Sequence, residues 1–198
     1  FCALTQRASD GKVEVNEACT ACGACVEVCP VGALSLAAAP AAPAAAAPGA
    51  FRGLWVVAEQ RRGRLQEVAF ELLGKGRELA DQLGVRLGAV LLGYGVGDCV
   101  APLFEHGADR VYVVDHPALE AYTSEPYAEA MSELIRRHKP EIVLAGATSI
   151  GRGFIARVAI QVNTGLTADC TELAVDPETR QLLQTRPAFG GNIMATIL

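Results

Sequence analysis

From residue 51 onward, apolar strand-like runs alternate with stretches of helical spacing, and this alternation limits the fold more than any other feature. "GLWVVAE" (53–59), "VRLGAVLLGY" (85–94), "RVYVVD" (110–115) and "PEIVLAGAT" (140–148) are short and rich in Val, Leu and aromatic residues, as buried strands are. Between the first two, Leu65, Val68, Ala69, Leu72, Leu79, Ala80 and Leu83 recur at helical spacing. A short helix is expected over 98–106. "SEPYAEAMSELIRRHK" (124–139) offers Ser124 as N-cap, acid early and base late, which are helix start and stop signals. "SIGRGFIARVAIQVN" (149–163) reads as a further helix closed by Thr164-Gly165. Near-continuous apolar strands separated by helices imply right-handed βαβ units and a parallel sheet covered on both faces. The fold class expected for 51–185 is therefore a Rossmann-like parallel α/β domain. The pattern then changes. "LTADCTELAVD" and "TRQLLQTRPAF" flank Pro177-Glu178 as a β-hairpin extension, and "GGNIMATIL" reads as one more strand.

The first 36 residues are of another kind. "CTACGACVEVCP" (19–30) places Cys19, Cys22, Cys25 and Cys29 at the C-x2-C-x2-C-x3-C-P spacing of a bacterial-type iron–sulfur ligand run. Short spacings let three thiolates wrap one face of a cubane. The small residues Thr20, Ala21, Gly23 and Ala24 let backbone N–H groups approach the sulfides. A zinc site would favour two separated C-x2-C pairs instead. A [4Fe–4S] cluster is the expected occupant of these four cysteines. The upstream "DGKVEVNEAC" resembles the hairpin strand before the second cysteine run of a two-cluster ferredoxin, and "FCAL" (1–4) echoes "VGAL" (31–34). That echo implies a duplicated motif whose first half precedes Phe1, with Cys2 in a glycine position and not a ligand. Cys19, Cys22 and Cys25 would then bind one cluster and Cys29 a second; all four on a single cluster is the alternative. The ferredoxin-like module is expected over 1–36, incomplete at its N-terminus.

"AAAPAAPAAAAPGA" (37–50) is uncharged Ala/Pro, which breaks helices and favours extended chain. Fully extended, it would span roughly 40 Å. Such a spacer implies that the two modules can change relative position.

Composition narrows the function. With 17 basic against 22 acidic residues the net charge is −5, which argues against a nucleic-acid-binding surface. No apolar run reaches the ~18 residues of a membrane span. Cluster ligands must be thiolates, so most of the seven cysteines point to a reducing, cytoplasmic setting rather than to disulfides. Gly93, Gly95 and Gly97 follow a strand but do not form G-x-G-x-x-G, and Asp115 is the nearest acidic candidate for such a fingerprint; a tight strand–helix turn is the better reading. Cys99 and Cys170 lie in apolar surroundings and are expected to be buried thiols. His106, His116 and His138 are scattered, and no catalytic set stands out.

"GATSIGRGFIARVA" (146–159), "NTGLTADCTEL" (163–173) and "TRPAFGGNIMATI" (185–197) closely resemble the α subunit of electron transfer flavoproteins, in order and spacing. The resemblance runs through most of 51–198. It implies that 51–185 is the first α/β domain of that subunit and that 186–198 begins the FAD-binding domain, so the family's principal FAD residues fall on no position here. The chain is thus expected to be a fragment cut at both ends. A ferredoxin run, a linker and this domain together resemble the subgroup found in energy-conserving complexes of anaerobes. There the β subunit holds a second flavin and takes up NADH. Electrons divide between a low-potential ferredoxin and an acyl-CoA or 2-hydroxy-acid type flavin dehydrogenase. The implied function is electron transfer, with flavin-based bifurcation or confurcation. Thr148 and Ser149 stand where a strand ends and a helix begins, the usual ligand side of a parallel sheet, and their free N–H groups could face a flavin edge or simply cap the helix. Thr167, Asp169 and Thr171 could line the β-subunit interface or be structural, and Arg186 could pair with flavin or partner carboxylates or be solvated. Two other functions compete. An adenine-nucleotide-binding α/β enzyme with a regulatory cluster should show a phosphate-cradling loop, and none appears. An assembly module would dock the β subunit with no redox role in its α/β part.

Overall fold

The structure, a computed structural model, describes residues 4–7, 10, 12–15, 24–27, 29–31, 33–34, 51–188 and 193–197. The chain forms two compact units, Phe1–Ala47 and Pro48–Leu198. In the first, β1 (Leu4–Gln6) pairs antiparallel with β2 (Val13–Val15), Thr5 opposite Glu14. Arg7 closes this hairpin by bridging Asp10 at 3.3 Å and Glu14. One helical turn, α1 (Ala24–Glu27), follows. The readings of Cys2, Cys19, Cys22 and the 37–50 spacer lie outside the described residues.

The second unit is built on a parallel four-stranded sheet with the order β7-β6-β3-β8. Its strands are β3 (Leu54–Val57), β6 (Leu87–Gly93), β7 (Arg110–Asp115) and β8 (Ile142–Leu144). Every residue of β3 and β6 is buried. Side chains alternate across a strand, so a strand buried along its whole length needs a layer on each face. Leu54, Val56, Leu87, Ala89 and Leu91 face a layer holding Leu73 and Leu79 of α2 (Glu67–Leu83) and Leu103 of α3 (Val100–Glu105). Trp55, Val57, Val90 and Leu92 face Tyr127 and Met131 of α4 (Ser124–His138) and Phe154 and Val158 of α5 (Ser149–Gln161). After α5 comes an antiparallel sheet in the order β11-β10-β9, made of β9 (Glu172–Val175), β10 (Leu182–Pro187) and β11 (Met194–Ile197). Leu173, Val175 and Leu182 pack on the α2 layer. The Rossmann-like domain and its hairpin extension are thus as the alternation required.

Local details differ from the sequence reading. β8 covers 142–144 only, and the chain bends at Ala147 and Thr148 before α5 begins at Ser149. β3 ends at Val57, and a small ribbon of β4 (Gln60–Arg61) and β5 (Arg64–Leu65) precedes α2; Arg62 (φ 51) and Gly63 (φ 73) make its turn. The N-cap of α4 is Thr123, with Ser124 already helical. After α5, Asn163 takes the left-handed conformation (φ 54) and Thr164 N–H returns to the Ala159 carbonyl, so Gly165 is not the closing residue. Cys99 is buried and donates to the Gly63 carbonyl, whereas Cys170 is half-buried.

Asp109 ties the start of β7 to that of β6 and to α2. Burial works to raise its pKa, but the Leu87 N–H (2.7 Å) and the Arg77 guanidinium (2.9 Å) outweigh it and hold the carboxyl below its usual value. A depressed carboxylate pKa stabilises the fold above the unfolded value of about 3.9, and that stability is lost as pH falls through the folded value. Asp109→Asn should therefore be less stable than the parent at neutral pH in urea unfolding, with the gap closing below pH ~4. A gap independent of pH would assign the effect to hydrogen-bond geometry and not to charge.

Candidate functional site

In the first unit, α1 carries Cys25 on its single turn and the Cys29 N–H returns to the Val26 carbonyl. Both cysteines are half-buried, and the Ala33 N–H donates to Cys29 Sγ at 3.3 Å. A backbone N–H aimed at sulfur is the outer-shell donor that a cluster thiolate uses, so the described part of the run fits an iron–sulfur group. Cys19 and Cys22 lie outside the described residues.

In the second unit, the sheet order makes β3 and β8 neighbours whose following helices, α2 and α5, cover opposite faces. This is a topological switch point, where α/β folds place ligands. Its residues come from the ends of those two strands. Thr148 caps α5: its Oγ1 accepts from the Gly151 N–H at 3.0 Å and donates to Glu59 Oε2. Glu59 is only 7% exposed and also meets Arg61 at 3.3 Å. A buried carboxylate needs this pairing, since unpaired it would carry a large desolvation cost. Arg152 donates to the Ala147 carbonyl (3.0 Å) and pairs with Asp169 at 2.5 Å, which joins the Thr148-Ser149 corner to the following loop. Asp169 is there left-handed (φ 60).

The crevice behind Glu59 is narrow. It holds about 20 Å³, lined by Gln60, Tyr127, Gly146, Phe154 and neighbours, and a space of that size takes one water. Gln60 lines it, its Nε2 donating to the Leu92 carbonyl (3.0 Å) and the Tyr127 hydroxyl (3.3 Å). Burial pushes the Tyr127 phenol up, against the Gln60 hydrogen bond. A Cβ on Gly151 would lie 2.0 Å from the Gly146 carbonyl oxygen, so glycine at 151 lets the first turn of α5 close on the loop after β8. The Gly93–Gly97 turn is likewise closed. Asp115 accepts from the Gly95 N–H (2.9 Å) and the Val96 N–H (3.1 Å), occupying donors that a phosphate would need.

The remaining sequence candidates are spread out. Thr171 binds the Thr185 carbonyl through N–H (2.9 Å) and Oγ1 (3.3 Å), locking β9 to β10. The Thr167 carbonyl accepts from Cys170 Sγ at 3.7 Å. Arg186, half-buried on β10 opposite Ala195, partly offsets the burial that raises the Cys170 thiol. The structure therefore gathers Thr148, Ser149 and Asp169 at one corner and leaves Thr167, Thr171 and Arg186 on the hairpin side. Sequence reasoning missed Glu59, Arg61, Gln60 and Arg152. The one available signal was an acid closing an otherwise apolar strand, "WVVAE".

Residues 54–198 match the family model of the electron transfer flavoprotein domain, and residues 13–35 match that of the 4Fe-4S binding domain. The chain belongs to the electron transfer flavoprotein family. It is 56% identical over 147 residues to the electron transfer flavoprotein subunit alpha of Thermoanaerobacterium thermosaccharolyticum, covering 74% of this chain and 44% of the relative. It is 42% identical over 171 residues to the acryloyl-CoA reductase electron transfer subunit beta of Anaerotignum propionicum (75% of this chain, 47% of that one). A subunit of the lactate dehydrogenase (NAD(+),ferredoxin) of Acetobacterium woodii is 44% identical over 148 residues (75% and 35%). The chain thus spans less than half the length of these relatives. Among the described residues, no helix is long and apolar enough to cross a membrane.

The Thr148 hydroxyl serves the Gly151 N–H and Glu59 at once. Thr148→Val keeps the shape and removes both, which should cost about 1–3 kcal/mol in urea unfolding, while Thr148→Ser should stay close to the parent. Equal stability of Thr148→Val and the parent would show that Glu59 finds another donor.

Proposed function

We propose that this chain acts in electron transfer as part of the α subunit of a heterodimeric electron transfer flavoprotein, of the bifurcating or confurcating kind. The observation that carries this is the coexistence, in one chain, of a 4Fe-4S binding segment at 13–35 and an electron transfer flavoprotein domain at 54–198. The relatives' names support the partner classes: one serves an acryloyl-CoA reductase, another a lactate dehydrogenase named for NAD(+) and ferredoxin. The proposed partners are accordingly the β subunit, an acyl-CoA or 2-hydroxy-acid type flavin dehydrogenase, and soluble ferredoxin.

Cys19, Cys22, Cys25 and Cys29 are the proposed [4Fe–4S] ligands, with Cys29 on either the same or a second cluster. When bound, the cluster supplies one-electron transfer and FAD links one- and two-electron steps. The protein's own contribution is positional. The Ala33 N–H holds Cys29 Sγ in place and stabilises negative charge on it. At the switch point, Thr148, Ser149 and Asp169 stand at the start of α5, and Thr167, Thr171 and Arg186 lie on the hairpin side; both groups are proposed to meet flavin or the β subunit. A docking role for the α/β unit itself is favoured by its own geometry: its crevice takes one water and Asp115 occupies the loop donors. The same two facts weigh against an adenine-nucleotide enzyme at that site.

The test is to purify the full-length protein with its β subunit and count flavin and iron per heterodimer, with EPR of the reduced protein. Two flavins with four or eight irons are expected, eight meaning that Cys29 serves a second cluster. Cys25→Ala should lose at least one cluster's iron while keeping flavin. Iron without flavin would overturn the proposal.

A further inference from the structure

At the end of the sheet opposite the switch point, where the strands begin, lies a cleft of about 750 Å³. Arg52, Arg77, Arg86 and Arg110 line it, and the carboxylate in its lining is Asp109. This concentration of positive charge is notable in a chain of net charge −5. Three of the arginines stand at the starts of adjacent strands. Arg52 is two residues before Leu54 of β3, Arg86 directly precedes Leu87 of β6, and Arg110 opens β7. Leu54 pairs with Leu87 and Gly88 with Arg110, so the three lie at one level of the sheet. Neighbouring strands are about 4.8 Å apart, which places the three origins within about 10 Å.

The cleft presents donors that lack acceptors. Arg52, Arg86 and Arg110 make no ion pair among the described residues. Arg77 pairs with Asp81 (2.7 Å) and Asp109 (2.9 Å), but its Nε is buried with no hydrogen-bond partner. Trp55 is 3% exposed and lines the cleft, and its indole N–H has no acceptor among the described residues. Gly88 keeps the floor open there: a Cβ would come 2.7 Å from the indole ring and 3.0 Å from Tyr112. Trp55, Tyr112 and His138 form a wall of rings, with centroids 4.4 Å (Trp55–Tyr112) and 4.9 Å (Tyr112–His138) apart. Two forces oppose an external anion. The first is the Asp109 carboxylate, held ionised in the lining and close enough to Arg86 for that charge to act on it. The second comes from the C-terminal ends of α2 and α4, which open on this side and attract positive charge themselves. That attraction is worth about 0.3–1 kcal/mol per charge and fades within a turn. The Leu83 carbonyl is already served by Arg180 at 2.6 Å, from outside the cleft.

We propose that this cleft binds a small molecule bearing two or more phosphate groups, held by Arg52, Arg86 and Arg110 with the Trp55 indole N–H. Guanidinium forks match phosphate oxygens bidentately, and the volume falls in the range of small-ligand pockets. A ring attached to the phosphates would rest on the Tyr112–His138 edge. The site is separate from the switch point.

Trp55 lines the cleft, so the part of the emission that is lost in Trp55→Phe reports on it. The purified full-length protein is titrated with inorganic pyrophosphate and with ADP, by calorimetry and by Trp55 fluorescence. Saturable binding of at least one, weakening steeply with salt, is expected. The double variant Arg86→Ala/Arg110→Ala should weaken it tenfold or more with an unchanged melting temperature, since both side chains are exposed. Tighter binding of ADP than of pyrophosphate identifies a ring-bearing ligand, and equal binding identifies the phosphates alone; either supports the site. Absence of saturable heat in the millimolar range, an unaffected double variant, or a response to a polyglutamate peptide but to neither phosphate would overturn it.

Discussion

Two strands buried along their entire length organise the second unit. The backbones of β3 and β6 have no solvent-facing side, so the sheet must be covered twice, by α2 and α3 on one face and by α4 and α5 on the other. Right-handed crossovers then leave little choice of order, and the observed β7-β6-β3-β8 puts the change of face between β3 and β8. The Glu59–Thr148 contact follows from this, because the ends of those two strands are the ones brought side by side. So does the basic cleft, since the same sheet aligns Arg52, Arg86 and Arg110 at its other end.

The class of fold was legible because burial on both faces writes itself into the sequence as unbroken apolar runs. "LGAVLLG" and "LWVV" contain no polar residue. The cysteine run was legible because ligand spacing is a local property. What escaped depends on contacts distant in sequence. Glu59 and Thr148 are 89 residues apart, and neither is distinctive alone. The β4–β5 ribbon rests on Arg62 in a left-handed conformation, which its residue type does not announce. The end of α5 fell to Asn163 and not to the glycine two residues on, since Asn also tolerates that conformation. Asp115 could be read as a cofactor acid until its oxygens were found on the Gly95 and Val96 amides.

The glycines follow the same logic. Gly-rich turns at strand ends are associated with phosphate binding, yet here Gly146 leaves room for Val68 of α2, Gly151 lets α5 close on the loop after β8, and Gly95 supplies a positive φ of 64. At the switch point, a crevice that takes one water and loop donors capped by Asp115 leave little room for a cofactor. In this chain the electron transfer flavoprotein domain follows a segment matching a 4Fe-4S binding domain.

The central claim is that the cysteine run exchanges electrons with the flavin of the assembled protein. Rapid freeze-quench EPR of the complete heterodimer, reduced at its flavin, tests it directly. The account predicts that a [4Fe–4S] signal rises as fast as turnover requires and is diminished in Cys25→Ser, with slowed delivery to ferredoxin. A cluster signal that lags far behind turnover, or ferredoxin reduction unchanged in Cys25→Ser, would contradict it.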